Sequence, residues 1–413
     1  MAESFSPGHQ KGFPSATVPM LTWKIGTLAV SRLVLNTARR FAYPFAPALS
    51  RGLGVPLTSV TAIIAVYQAS PLLGLLFGPL ADRLGYRLMM LAGLGLLATG
   101  LFLGGVLPLY GVVMAGLFLA GLGKSVYDPA YQAYIGDRVP FQQRGRVIGI
   151  IETSWAGSTL LGIPLIGILI DRLGWRAPFF GLGAMGLAGI VAIRLLIPED
   201  KRRAETLATP LGIRQVWRKL LQEKTALGTL GFAFFVSAAN DTLFVIYGAW
   251  LESAFNLSIV AIGFGTVTIG LAELGGELFT VFWADRFGLK KSVYLGLGLS
   301  TLAYGLLPVW GGTLPFALGG LFLIFLTLEF TIVSFLSLCT ELHPDSRATM
   351  IAGFFAAGGI GRIAGALIGV PIWQAGGIFG TGMVSAAISA LALVSVTWGL
   401  KDWAPRQNQN QLI

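Results

Sequence analysis

Eleven ionisable side chains stand inside long apolar runs of this 413-residue chain. Five are basic (Arg32, Arg39, Arg40, Lys124, Arg362) and six are acidic (Asp128, Glu152, Asp241, Glu273, Glu277, Glu329). At the centre of a helix in hydrocarbon each costs about 3 kcal/mol. Left alone, eleven would cost about 30 kcal/mol, more than the net stability of a typical fold. Such groups must face one another or enclosed water. Their spacing agrees. Arg32, Asn36, Arg39 or Arg40, and Tyr43 recur on one helical face, and Pro44 and Pro47 bend the helix beyond them. Lys124 and Asp128 lie one turn apart, as ion-paired neighbours do, with Tyr127, Tyr131 and Tyr134 as an aromatic face. Ser237, Asn240, Asp241 and Tyr247 form a comparable acidic patch.

These charges are divided unequally. The first half of the chain has four bases against two acids, and the second has four acids against one base. Two readings follow: the halves neutralise each other, for instance Arg39 or Arg40 with Asp241, or they hold opposite ends of a zwitterionic or amphipathic solute. Glu273 and Glu277, one turn apart in a low dielectric, suit a proton carrier. Glu329 and Asp128 are rivals for that role, and Glu152 and Asp241 complete the set of candidate acids. Arg362 stands among Gly358, Gly359, Gly361, Gly365 and Gly369, a pattern of close helix packing rather than of ligand contact.

The elements that must position these groups follow from composition. Hydrophobic residues make up 54% and charged residues 12%, with one cysteine, Cys339. So few charges do not cover a soluble globule, and disorder and a disulfide scaffold are excluded as well. The apolar runs are continuous, without the alternation of a β-barrel. The expectation is an all-α membrane protein of twelve transmembrane helices. The spans fall near 24–49, 57–79, 87–107, 109–138, 146–170, 177–197, 225–250, 258–283, 291–308, 314–339, 349–370 and 379–400. Residues 198–224 form a basic linker between two six-helix bundles, 24–197 and 225–400; within it 211–222 has the pattern of an amphipathic surface helix or of a solvated linker. Residues 1–20 have no apolar stretch leading to a cleavage site, so the first span itself directs insertion. With the N-terminus inside, tails and inner loops carry 20 of the 29 Lys and Arg and outer loops carry three, Arg51, Arg172 and Arg176. That bias makes the tails, 1–23 and 401–413, cytoplasmic, as in a bacterial-type inner membrane. It accounts for the +10 net charge by lipid attraction, without nucleic acid.

The two bundles repeat. Gly78-Pro-Leu-Ala-Asp82-Arg83-Leu-Gly85-Tyr-Arg87 returns as Val281-Phe-Trp-Ala-Asp285-Arg286-Phe-Gly288-Leu-Lys290, offset by 203 residues, and Arg144 meets Arg347 at the same offset. Asn36 and Tyr43 meet Asn240 and Tyr247 at an offset of 204. Duplication of this kind places a site between the halves near mid-membrane.

On these residues the chain resembles the major facilitator superfamily of secondary transporters. Arg144-Gly-Arg146 after the fourth span fits, and Gly162-Ile-Pro164-Leu-Ile-Gly167 is similar to a looser form of the Gly-Pro run of its drug/proton antiporters. The resemblance implies that spans 1, 4, 7 and 10 line a central cavity and that the halves rock. The antiporter pattern has an Arg four residues before Gly121-Leu-Gly123, where this chain has Leu117, and the second loop signature begins with Val281 rather than Gly.

The expected substrate cavity is Arg32, Asn36, Arg39, Arg40, Tyr43, Lys124, Tyr127, Asp128, Tyr131, Asn240, Asp241, Tyr247, Glu329 and Arg362. The loop residues Gly78, Asp82, Arg83, Gly85, Arg87, Arg144, Arg146, Asp285, Arg286, Gly288, Lys290 and Arg347 are expected to form a conformational latch or a topogenic turn, with Gly85 and Gly288 permitting tight turns. His9 and His343 lie in a tail and a loop, so no metal or cofactor is expected. No nucleotide loop or nucleophile constellation marks an enzyme. The function expected is a monomeric, proton-coupled carrier of a small organic solute, more an exporter than an importer. The alternatives are an organic-anion symporter or facilitator that clamps its anion with Arg39, Arg40 and Lys124, and a non-transporting sensor or assembly factor on the same fold.

Overall fold

In the computed structural model the described residues are 18–73, 84–139, 150–199, 221–342 and 347–401, together with 77, 80, 81, 147 and 403. They form thirteen main helices, with short helical turns at Ser70–Leu73, Thr280–Ala284 and Asp285–Phe287, and no strand. These are α1 (Val18–Arg40), α2 (Ala46–Leu53), α3 (Leu57–Tyr67), α4 (Tyr86–Val106), α5 (Tyr110–Arg138), α6 (Ile150–Leu173) and α7 (Ala177–Leu196). After the linker come α8 (Lys224–Phe244), α9 (Tyr247–Phe255), α10 (Ile259–Phe279), α11 (Leu289–Trp310), α12 (Leu314–Leu342) and α13 (Arg347–Gly399). Nine helices among the described residues are long and apolar enough to cross a membrane, or ten if the bent α2–α3 segment is one span. Large aliphatic side chains such as Leu195 and Val309 stand on the outside, as hydrocarbon permits and water does not.

The breaks have local causes. Pro44 lacks an N–H and crowds the carbonyl four residues back, so α1 ends at Arg40 and the chain turns through 41–45 before α2. Gly54, with φ of 66°, caps α2, its N–H donating to the Arg51 carbonyl and that of Val55 to the Ser50 carbonyl, and Pro56 starts the return helix, bent by 114°. The second half repeats the break, with α8 ending at Phe244 and α9 starting at Tyr247.

Two features differ from the sequence expectation. The span expected at 57–79 is helical to Tyr67 and then a 3-10 turn over Ser70–Leu73, where Pro71 falls. The last two spans, separated in sequence at 370 and 379, are continuous through Pro371 and turn only at Gly377, whose φ of 57° and ψ of −153° suit glycine. The surface helix expected at 211–222 falls almost wholly outside the described residues.

Glycines set the tightest helix contacts. On α13, Gly361 faces the carbonyl of Phe234, Gly365 faces Asp241 and Ala238, and Gly369 faces Thr242, so α13 lies against α8 backbone to backbone. Gly361→Val is expected to lower folded yield and thermal stability by about 1–3 kcal/mol. Gly298→Ala, in open space, is expected to be silent. Fluorescence size-exclusion and a thermal melt check both.

Candidate functional site

The proline break frees the end of α1 to carry three guanidiniums into the interior, and each meets different chemistry. Arg32 Nη1 lies 2.7 Å from Glu152 Oε2 on α6, and its Nε lies 3.5 Å from Asp128 Oδ1 on α5. Asp128 also holds Lys124 at 2.6 Å, and the Tyr131 hydroxyl donates to Glu152 at 2.8 Å. The Tyr131 ring stacks below Arg32 at 5.0 Å. Two bases and two acids therefore close a neutral quartet within the first half. Asp128 and Glu152, both candidate proton acids from sequence, are tied to cations here. Asn36 donates to Ser154 at 3.2 Å. Tyr127, expected in the cavity, is instead fully buried, its hydroxyl on the carbonyl of Leu28 and its Cβ against the close approach of α4 at Gly93.

Arg40 crosses between the halves. Its two terminal nitrogens bind the two carboxylate oxygens of Glu273 on α10, one of them at 3.0 Å. Arg40 also donates to Thr159, which itself donates to Glu273 at 3.3 Å. The guanidinium stacks 4.2 Å from the Trp155 ring centroid, with Phe244 at 6.0 Å. Thr159 is presented by a π-helical turn over Ser158–Gly162 in α6. The cross-half pair foreseen for Arg39 or Arg40 with Asp241 therefore exists with a different acid. Asp241 accepts instead from the Tyr43 hydroxyl at 2.7 Å, Tyr43 accepts from Gln68, and Gln68 accepts from Arg39 at 3.0 Å. Tyr247, symmetry mate of Tyr43, shares a hydrogen bond with Thr266 at 3.0 Å.

Three charged groups keep no such partner. Arg362, Glu277 and Glu329 make no hydrogen bond or ion pair with any described residue, and the buried amide oxygen of Asn240 is also unmatched. Glu329 packs on Gly276 of α10, close to the Arg40–Glu273 pair. Glu273 and Glu277 are therefore not an equivalent pair, since one is neutralised and the other is not.

The ends of the assembly differ. Near Gly174, Arg51 pairs with Glu252 at 2.8 Å, Gly248 lies on the Pro44 carbonyl, and Gly167 and Gly263 bring α6 and α10 together. The Gly162–Gly167 run is thus a packing surface, Gly162 fitting over Thr37. Away from this seal the Glu152 side chain is 41% exposed and Asp128 26%, whereas Arg40 and Glu273 are 7% and 4%. The acids of the quartet are thus open to solvent, while its bases and the cross-half pair are closed to it.

Of the loop signature, Gly78, Asp82, Arg83, Arg144 and Arg146 lie outside the described residues, as do the side chains of Asp285 and Arg347. Gly85 and Gly288 adopt φ of 95° and 80°. Arg286 is exposed. Arg87 binds the Arg194 carbonyl at 2.7 Å and Glu199 at 2.9 Å, at the end of α7. Lys290, its repeat mate, binds the carbonyls of Leu400 and Trp403 at 2.6 and 3.0 Å, at the end of α13. Each base caps the final helix of its own half, where the dipole favours a cation, so these two contacts staple each half internally. Arg87→Gln and Lys290→Gln are each expected to lower stability by about 0.3–1 kcal/mol and to leave transport intact, read by melts and flux on the same preparations.

Sequence reasoning missed Gln68, Trp155 and Thr159. A lone amide after the apolar run 59–67 was the available signal for Gln68; the other two look like ordinary span residues.

A polytopic helical bundle with buried charge at the junction of duplicated halves is the architecture of a membrane transporter. The model of the Major Facilitator Superfamily matches residues 28–247, just over half of the chain. The chain belongs to that superfamily and is an integral, multi-pass membrane transporter, not an enzyme. It is 28% identical to the uncharacterized MFS-type transporter YceJ of Bacillus subtilis, over 78% of this chain and 80% of that protein. It is 26% identical to the quinolone resistance protein NorA of Staphylococcus aureus, over 59% of this chain and 62% of that one. In fold it is similar to an inward-facing, unoccupied bacterial homolog of the lysosomal transporter Spinster (TM-score 0.74, 15% identity, 94% of this chain and 99% of that one). The nucleoside transporter NupG is similar too (TM-score 0.73, 16% identity, 92% and 99%).

Proposed function

We propose that this protein is a proton-coupled secondary transporter that exports a small organic solute by alternating access. The observation that carries the reading is Glu329: an acid inside the spans, at the junction of the halves, with no ion-pair partner among the described residues while its neighbour Glu273 has one. An intramembrane acid without a counter-charge is suited to exchange a proton with water when the site is open to it. Glu277 is the second such acid, and Asp128, Glu152, Asp241 and Glu273 are occupied by partners in this state. In this reading twelve spans form two six-helix bundles that rock about the Arg40–Glu273 contact. Both termini are cytoplasmic, so the sealed end faces outward and the form described is open inward. The protein works as a monomer in a bacterial-type inner membrane, and Asp82, Arg144 and their repeat mates Asp285 and Arg347 latch the cytoplasmic side. Similarity to NorA supports efflux of organic compounds as the direction to test first.

The test is flux in proteoliposomes with an imposed pH gradient, using the quinolone norfloxacin and the cation ethidium as probes. Gradient-dependent movement that a protonophore abolishes is expected. Movement indifferent to the gradient would contradict proton coupling.

The anion clamp considered from sequence loses two of its three members, since Arg40 is held by Glu273 and Lys124 by Asp128. The cations that remain without a carboxylate are Arg39 and Arg362.

A further inference from the structure

Of the five bases within the spans, Arg32, Arg40 and Lys124 each hold a carboxylate within ion-pair distance, and Arg39 and Arg362 hold none among the described residues. Arg39 donates to a neutral amide oxygen, that of Gln68, at 3.0 Å. The position of Arg362 follows from its glycine neighbours. Gly358 and Gly365 lie against Ser237 and Asp241 of α8, and Gly359 lies over Leu72 and the Gln68 carbonyl. Residue 362 is one turn from each, so it stands above the groove that the Asp241–Tyr43–Gln68 chain crosses. Arg39 and Arg362 are electrostatic neighbours of each other and of Asp241, and Arg362 is also a neighbour of Glu329. One Asp241 carboxylate, its Oδ1 already accepting from Tyr43, faces two guanidiniums. With Glu329 protonated, as proton carriage requires in one half of the cycle, the locus carries one positive charge in excess, and the glycine stripe that brings α13 onto α8 holds it there.

We infer that Arg39 and Arg362, with Gln68 and Tyr43 between them, are the subsite for the carboxylate of an organic monoanion or zwitterion. This deepens the transporter reading and rests on it. A single excess charge matches one carboxylate better than a dianion. The guanidinium presents two parallel N–H donors in the geometry a carboxylate accepts, and such charge-assisted bonds gain strength away from water. The Asp241 carboxylate sits in the same locus, so the incoming group binds on the Arg362 side, away from the oxygen that Tyr43 holds.

The experiment is a thermal-shift and calorimetric titration of the purified full chain with 4-phenylbutyrate, its neutral amide and the corresponding amine. The carboxylate is expected to bind at least tenfold more tightly than the amide. Arg362→Gln and Arg39→Gln are each expected to abolish that preference, Arg362→Lys to retain part of it, and Lys291→Gln, exposed and outside the site, to keep it whole. In a Glu329→Gln background, which fixes that acid in its neutral form, ligand-free Arg362→Gln is expected to melt no lower than its parent, because an uncompensated charge has been removed. If Arg362 serves only as the structural counter-ion of Asp241, that variant melts lower and the carboxylate preference survives, which overturns the proposal. Equal binding of acid and amide by the parent protein, or binding of none of the three, overturns it too. Gradient-driven flux of other solutes alongside such a result leaves the transporter reading standing. Absence of any flux strikes that reading and leaves the binding data to judge the subsite.

Discussion

Glu329→Gln is expected to reduce gradient-driven solute movement by about tenfold or more, with little loss of stability. Gln keeps the shape and hydrogen-bonding capacity of the side chain and removes the ability to exchange a proton. Since Glu329 holds no ion pair among the described residues, no cation is orphaned by the change, and the packing of its Cβ on Gly276 is preserved. Solute exchange at equal pH on both sides is expected to continue, because that half-cycle needs no net proton movement. The same substitution at Glu277 tests the second uncompensated acid. If Glu277→Gln uncouples and Glu329→Gln does not, the carrier is on α10, one helical turn beyond Glu273, rather than on α12. Flux measured with and without a gradient separates these outcomes.

The second large effect lies at Arg40 and Glu273. Both side chains are almost wholly buried, and each is the other's main counter-charge. Arg40→Gln or Glu273→Gln alone leaves a buried charge without its mate and is expected to cost about 3–5 kcal/mol. Replacing both with methionine should recover much of that loss, since two apolar side chains of similar volume carry no desolvation penalty. Transport should not recover with it. The pair is a contact between the halves, cradled by Trp155 and Thr159, and a bundle that rocks about it needs it to form and reform. A thermal double-mutant cycle gives the coupling, and flux through the double variant gives its use. A stable double variant that transports normally would assign the pair to folding alone.

Much of this was visible in the residues. The Arg32–Asn36–Tyr43 stripe does point inward, and the one-turn spacing of Lys124 and Asp128 does become an ion pair at 2.6 Å, because both depend only on helix periodicity. What depended on the third dimension was not visible. Arg40 and Glu273 are 233 residues apart in the chain, and six acids offered partners for it. Tyr127 shares a helix and a residue type with Tyr131, yet one packs on α4 and the other reaches Glu152; only helix rotation distinguishes them. The π-helical turn that delivers Thr159 lies between Gly157 and Pro164, residues that mark a weak point in the helix without telling that it widens rather than kinks. Conversely, Pro371 looked like the end of a span and is not one, because the turn is supplied by Gly377, the residue that tolerates a positive φ.

Alternating access requires two halves that close on one side of the site at a time. The seal near Gly174, with Arg51 on Glu252 and Pro44 on Gly248, must therefore open during the cycle. Spin labels on Leu53→Cys and Ser253→Cys, in a C339S background, place one probe on each half beside that seal. Double electron–electron resonance in lipid should show a short distance and a second, longer population whose share changes with pH and with bound solute. A single short distance, unmoved by either, would mean that the halves stay shut and that alternating access is not how this protein works.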